Sequence, residues 1–204
     1  MTVTRYVGFD ISTSTGYAII DRVDEGSISK NGGQIFLRHV GVISVPSSYR
    51  HQGQTIKYTD GQRLHTLRTT VWEILEAYDP DIYIKEGRAV NFSRFRASEI
   101  TGKATGIIDE VIEAFTQGAT VIFEYKPSTI KKEIAGHGKA DKEEVQHGVF
   151  HYFSPEENAF PYKNKRDGSK EYNDDATDAV ASVLTHFEKN GMKYWTERSR
   201  ENLL

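Results

Sequence analysis

Tyr6-Val7-Gly8-Phe9-Asp10-Ile11-Ser12, then a turn, then Gly16-Tyr17-Ala18-Ile19-Ile20: this is the stretch from which the architecture follows. A β-prone run carries one carboxylate, breaks between Ser12 and Gly16 and resumes, which predicts a hairpin with an acid on its first strand. Working outward, a third strand region falls near residues 34–45. Leu64, Leu67, Val71, Ile74 and Leu75 then repeat at helical spacing between Gly61 and Ala77. Asp79-Pro80-Asp81 leads into another strand, Ile82-Tyr83-Ile84-Lys85-Glu86. A long helix through Ile100, Ala104, Ile107, Ile108, Val111 and Phe115 precedes a strand over Thr120 to Tyr125, and Gly102 with Gly106 would let that helix approach the sheet closely. Three antiparallel strands followed by alternating helices and strands predict an α/β fold, one mixed five-stranded sheet with helices on both faces.

Four acids stand out against this frame. Asp10 lies on the first strand, and Glu86 closes a later strand where a polar group meets solvent or a ligand. Asp175 and Asp178 follow in Asn173-Asp174-Asp175-Ala176-Thr177-Asp178, three apart on one face of a helix whose apolar stripe is Val180, Val183, Leu184 and Phe187. Taken singly, Asp10 reads as a turn residue, Glu86 as a solvated strand end, and Asp174 or Asp175 as a helix cap. The set is harder to explain that way, because a carboxylate in a buried strand core is costly unless it meets a cation or a donor. Asp174 keeps the capping reading. Clustered carboxylates without cysteine or paired histidines favour a hard cation held by oxygen, magnesium or manganese, over zinc. Two such ions about 3.5 to 4 Å apart activate water and stabilise the leaving oxygen of a phosphodiester.

The stretch from Val121 to Gln146, Val-Ile-Phe-Glu-Tyr-Lys-Pro-Ser-Thr-Ile-Lys-Lys-Glu-Ile-Ala-Gly-His-Gly-Lys-Ala-Asp-Lys-Glu-Glu-Val-Gln, resembles the corresponding stretch of RuvC Holliday junction resolvases. Asp175-Ala176-Thr177-Asp178-Ala179-Val180-Ala181, ending in Leu184-Thr185-His186, is similar to their final catalytic helix. Gly8-Phe9-Asp10, Gly16-Tyr17, Ile84-Lys85-Glu86 and Gly102-Lys103-Ala104-Thr105-Gly106 fall in the same order as in that family, which includes phage members. The resemblance implies an RNase H-like nuclease in which Asp10, Glu86, Asp175 and Asp178 are the catalytic, metal-binding tetrad and Asp10 bridges two Mg2+ ions, with Mn2+ able to substitute. It also implies a homodimer that nicks opposite strands of a four-way DNA junction, leaving 5′-phosphate and 3′-hydroxyl ends, with Lys131 and Lys142 holding DNA near the metals. Asp141 and Glu144 have capping-box spacing at the start of the helix that carries Lys142, so backbone amides there offer a second contact for phosphate. Lys132 and Lys139 join the DNA-binding candidates.

The chain departs from the family in the loop after Glu86. An aromatic that stacks on unpaired bases is expected about three residues on, and here the loop reads Gly87-Arg88-Ala89-Val90-Asn91-Phe92-Ser93-Arg94-Phe95-Arg96. Phe92 or Phe95 is the candidate, and Phe95 alternatively begins the next helix and packs inward. Arg88, Arg94 and Arg96 interleave with them, as suits splayed bases and phosphate. Two segments exceed a compact resolvase. Asp21 to Lys57 is expected to hold an extended hairpin around Gln34-Ile35-Phe36-Leu37 and Val40-Gly41-Val42-Ile43, plus a polar loop through Tyr58. Pro155 to Asn173, with Lys163, Lys165, Arg166 and Lys170, reads as a mobile basic loop. The expected organisation is a single domain over residues 1–204, with insertions near 21–58 and 155–173.

With 204 residues, no cysteine, no apolar run long enough to span a membrane and no secretory signal, the chain reads as a soluble cytoplasmic protein. A net charge of -3 argues against a simple DNA binder, but five lysines fall between Lys126 and Lys142 and three arginines between Arg88 and Arg96, enough for one basic face. Three other readings compete. The Gly8 to Gly16 hairpin is similar to the first phosphate loop of actin-like ATPases and sugar kinases, but those need a second domain and a second glycine-rich loop. A junction-binding protein without cleavage would have no use for four carboxylates beside a polyanion. The nearest variant is a debranching nuclease of wider range.

Overall fold

The computed structural model of the protein describes residues 1–12, 14–24, 32–87 and 95–201, and side chains for all of these except 95–98, 200 and 201. The predicted hairpin is β1 (Thr2–Ile11) with β2 (Thr15–Asp24), antiparallel, Asp10 opposite Gly16. β3 (Gly33–Ile43) pairs antiparallel with β2 as one continuous strand, so the hairpin expected between Gln34 and Ile43 does not form. Arg38 is the reason. It is an extra residue between the pairs Ile19 with His39 and Ile20 with Leu37, a bulge that bends the strand without reversing it. Its guanidinium, with that of Arg5, neutralises the buried carboxylate of Asp21 at 2.7 and 2.6 Å.

The polar loop expected through Tyr58 is instead a small hairpin, β4 (Ser48–His51) with β5 (Gln54–Lys57). Gln52 and Gly53 at its tip both have positive φ, the backbone of a tight two-residue turn. α1 (Asp60–Tyr78) starts at a Thr59–Gln62 capping box, and β6 (Ile82–Glu86) returns parallel to β1. α2 (Phe95–Thr116), β7 (Ile122–Tyr125), α3 (Pro127–Ala135) and α4 (Lys142–Tyr152) follow. The basic segment expected to be a mobile loop folds as a second hairpin, β8 (Tyr162–Asn164) with β9 (Lys170–Tyr172), ahead of α5 (Asp174–Lys189). β10 (Tyr194–Trp195) and α6 (Glu197–Glu201) complete the described chain.

The main sheet runs β10-β3-β2-β1-β6-β7, six strands where five were expected. The sixth, β10, is two residues on the edge of β3, too short to show any alternation in sequence. Alternation elsewhere sorts the core into two layers. Val7, Phe9 and Ile11 of β1 meet Leu67, Val71 and Leu75 of α1 and Ile108, Val111 and Ile112 of α2. Tyr6 of β1 and Ile84 of β6 face Val180, Val183, Leu184 and Phe187 of α5, with α3 and α4 behind it. Each such side chain contributes roughly 1.5 to 3 kcal/mol on burial. No helix among the described residues is long and apolar enough to cross a membrane.

Two glycines set the height of α5 over the sheet. A Cβ on Gly8 would lie 2.5 Å from the Ala179 carbonyl and 2.6 Å from Val183, and one on Gly16 would overlap the Asp175 carbonyl. By contrast a Cβ on Gly106 has nothing within 4 Å, so this glycine faces open space and does not bring α2 closer to the sheet. Gly16→Val is therefore expected to cost about 3 kcal/mol or more, a fall in Tm of roughly 6 to 12 °C. Gly106→Ala should be neutral or gain up to about 1 kcal/mol from helix propensity. Thermal unfolding of the two variants side by side checks both, and a Gly16→Val protein as stable as the parent would show that α5 is free to lift.

Candidate active site

The side-chain alternation that buries Tyr6 and Ile84 also brings two acids together. β1 and β6 are parallel, with Tyr6 level with Ile82 and Gly8 with Ile84. Continued by one step of two residues, this register sets Asp10 beside Glu86, both at the carboxyl ends of their strands and on the side covered by α5. Asn173 caps that helix, its side chain accepting from the Ala176 amide at 3.1 Å. Asp174, expected to be the cap, is instead the first helical residue and accepts from the Lys142 ammonium at 2.8 Å. The next turn lowers Asp178 onto the strand ends. Carboxylate oxygens of Asp10, Glu86 and Asp178 lie within 4.8 Å of one another, all three partly buried.

Asp175 stands beside this group rather than in it. Its carboxylate accepts from the hydroxyl of Ser14 and, at 3.4 Å, from that of Ser12, which ties the start of α5 to the β1–β2 turn. It remains close enough to push up the proton affinity of Asp10. The two serines were not singled out from the sequence. A polar turn directly after a strand-borne acid was visible, but nothing in it marks which hydroxyls reach a helix more than 160 residues later.

Burial, reinforced by crowding of like charge, governs the electrostatics. Asp10 is held well above the ordinary carboxylate range, first by burial and then by Glu86, Asp178 and Asp175. Burial, helped by Asp178, pushes Glu86 up to about 7. Asp178 rises to about 6, again chiefly through burial, with Asp174 and Asp175 adding to it. Lys142 opposes the rise at all three acids, and Lys131 at Glu86 and Asp178. An all-oxygen donor set that shares too little positive charge matches what a hard divalent cation requires, and the residues present fit one.

The structure places the basic candidates unevenly. Lys131 is half-buried on α3, and Lys142 is exposed at the first position of α4. The capping box expected there is present: Asp141 accepts from the Glu144 amide at 2.9 Å and Glu144 accepts from the Asp141 amide at 2.8 Å. Lys132, in the last turn of α3, and Lys139, between α3 and α4, are exposed. Arg88, Phe92 and Arg94 lie outside the described residues. Phe95 begins α2, as one reading expected, with Arg96 next to it, and the direction of both side chains lies outside the description. Lys85, one residue before Glu86, points to the opposite face, where Asp109 accepts from it at 2.6 and 2.8 Å.

Lys142→Ala removes the cation that restrains the proton affinity of all three clustered acids. The acidic limb of the pH–rate profile, read at saturating DNA, is expected to move to higher pH, while Lys142→Arg leaves it in place. An unmoved limb in the alanine variant would show that Lys142 has no electrostatic hold on the cluster.

Comparison with known proteins agrees with this geometry. The sequence matches the family described as crossover junction endodeoxyribonuclease RuvC over residues 7–186, a span that contains all four acids. A relative of that name from Caldicellulosiruptor saccharolyticus is 30% identical over 184 residues, covering 89% of this chain and 91% of the relative. Thermus thermophilus RuvC shares the fold with a TM-score of 0.61 at 21% identity, over 94% of this chain and 98% of that one. The structure titled T. thermophilus RuvC in complex with Holliday junction substrate superposes with a TM-score of 0.62 at 20% identity, over 92% and 96% of the two chains. With three carboxylates converging where β1, β6 and α5 meet, and with a family match running from the first of these elements through the last, the chain belongs to the RuvC family of crossover junction endodeoxyribonucleases.

Proposed function

We propose that this protein is a structure-selective endodeoxyribonuclease that resolves four-way DNA junctions by paired nicks leaving 5′-phosphate and 3′-hydroxyl ends. The observation that carries the reading is the partly buried group of Asp10, Glu86 and Asp178, within 4.8 Å, in a member of a family named for this activity. Asp175, held beside them by Ser14, completes the tetrad. The cofactor is Mg2+, two ions per site, with Mn2+ as substitute. When bound, the ions supply Lewis-acid stabilisation of the phosphodiester and lower the pKa of water. The four carboxylates hold that charge in place and give up their protons to receive it. Lys131 and Lys142 draw the scissile phosphate toward the acids, and Lys132, Lys139, Arg88, Arg94 and Arg96, with Phe92 or Phe95 stacking on a base, extend the DNA surface. Residues 1–204 act as one domain, in the cytoplasm, and two copies pair so that each site faces one of two opposing strands.

The test is incubation with labelled four-way junction, flap and linear duplex in magnesium. Symmetrical nicks in the junction that DNA ligase reseals are expected, with linear duplex intact. No junction cleavage would overturn the reading, and equal cutting of the flap would replace it with a debranching nuclease of broad range.

A further inference from the structure

Two ribbons leave the sheet at the end that carries the carboxylates. β3 runs parallel to β1, and its last residue, Ile43, pairs with Thr15, itself paired with Ile11, so the β4–β5 hairpin departs beside Asp10. The β8–β9 hairpin leads straight into α5, and the Asn173 amide donates to the Pro161 carbonyl at 2.8 Å across its base. Tyr172 roots this second ribbon, packing on Phe150 and donating its hydroxyl to Glu156 at 2.9 Å. Beyond their bases both ribbons are mostly solvent-exposed along each strand. A two-stranded hairpin alone is marginal in water. These two nevertheless present large apolar side chains outward: Tyr49 opposite Ile56, 42% and 36% exposed, and Tyr162 opposite Tyr172, the former 47% exposed.

Both ribbons carry more cations than acids. No acid occurs from Ser44 to Thr59, where Arg50 and Lys57 sit. On the second ribbon Lys163, Lys165, Arg166 and Lys170, the last 4.4 Å over the Tyr162 ring, outnumber two acids: Glu171, opposite Lys163 in the ladder, and Asp167, which attracts Lys165 and accepts from the amide and hydroxyl of Ser169 at 2.9 and 2.7 Å. Arg50, Lys57, Lys163, Lys165 and Arg166 form no ion pair among the described residues, whereas Arg22, Arg68, Lys103 and Lys189 elsewhere each face a carboxylate. A chain with net charge -3 thus leaves unpaired cations on two exposed ribbons that spring from the edge of its acid cluster.

We propose that the two hairpins grip the sugar-phosphate backbones of two different duplex arms beside the cleavage site; this rests on the reading that the protein acts on branched DNA. Strands of four and three residues span about 13 and 10 Å, equivalent to about four and three base pairs at 3.4 Å each. The ribbons therefore hold the arms close to the branch, where a linear duplex offers one arm and a junction offers several. The cations pair with phosphates, and the outward tyrosines cover sugar.

Full-length protein is compared with the double variant Arg50→Ala/Lys57→Ala and the triple variant Lys163→Ala/Lys165→Ala/Arg166→Ala. Binding of a fluorescent four-way junction is titrated against salt with calcium replacing magnesium. The slope of log affinity against log salt is expected to fall by about 2 in the double and about 3 in the triple variant, with affinity at moderate salt down roughly threefold and tenfold or more. Single-turnover cutting at saturating protein should stay within about twofold in magnesium, and lysine-to-arginine replacements on the second ribbon should restore the slope. Unchanged melting temperatures confirm that the ribbons, and not the fold, were altered. If either variant binds the junction with wild-type affinity and slope while wild type cuts it, the paired grip is overturned alone. If wild type cuts no branched DNA, the nuclease reading itself fails.

Discussion

Asp10→Asn is expected to lower junction cleavage on the order of a thousandfold and, at pH 8 without divalent cation, to raise the melting temperature. The two effects have one origin. Asp10 sits where burial denies its charge water and Glu86, Asp178 and Asp175 repel it. With Asp10 in the proposed role of metal ligand, its loss from a centre whose cations would supply several kcal/mol to the transition state removes about three powers of ten in rate. The amide keeps the shape of the side chain but carries no charge, so the folded state is relieved of a repulsion that the unfolded chain does not feel. A gain of about 1 to 2 kcal/mol corresponds to roughly 2 to 8 °C for a chain of this size. Cleavage assays and thermal unfolding on the same preparation separate the outcomes. A variant that is inactive and less stable would mean that Asp10 is a structural partner, and one that still cuts would remove it from the site.

The second expected result is a melting temperature that falls as pH rises from about 4 to about 7 in the absence of divalent cation, and a cation-induced increase that grows across the same interval. Free carboxylates in the unfolded chain lose their protons near their ordinary values of 3.8 and 4.5, whereas Asp178 keeps its proton to about 6 and Glu86 to about 7, and burial holds Asp10 well above its ordinary range. Across that window the folded state binds more protons than the unfolded one, so stability is lost with rising pH. Discounted for partial exposure, the acids together are worth about 2 to 3 kcal/mol, or roughly 4 to 12 °C. Asp21 has the opposite sign. Its arginine partners hold it below the usual range despite its burial, so its contribution is present above about pH 4 and is lost on further acidification. Stability without cation should therefore peak near pH 4 to 5. Magnesium that raised the melting temperature equally at pH 5 and pH 8 would rule out the acid cluster as its binding site.

What could be read from the sequence was whatever repeats. Asp10 and Glu86 were legible because each ends an alternating strand, and the period of two that buries Tyr6 and Ile84 delivers both acids to the same face. Asp178 was legible because the α5 stripe fixes which side of the helix meets the sheet. The Asp141–Glu144 cap followed from its spacing. Features made by a single residue were not legible. Arg38 keeps β3 whole through one bulge, the two residues of β10 are too few for a pattern, and Gln52-Gly53 makes a hairpin tip without the usual asparagine. Ser14 takes a partner that only the tertiary fold supplies and holds Asp175 beside the three-acid group, whereas Asn173 takes the cap from Asp174 through a local bond from the Ala176 amide. Gly106 showed the converse error, a small residue read as a contact where there is only space.

The docking of α5 over Gly8 and Gly16 also has a temporal consequence. The strands that hold Asp10 and Glu86 leave the ribosome long before residues 174–189, yet the helix that covers them and contributes Asp178 comes near the end of the described chain. A nascent protein therefore has its first two acids with neither the third acid nor the core layer that sets their spacing. Competence to cut DNA is therefore expected to wait for the seating of one helix, and a chain cut short before residue 174 lacks both Asp175 and Asp178.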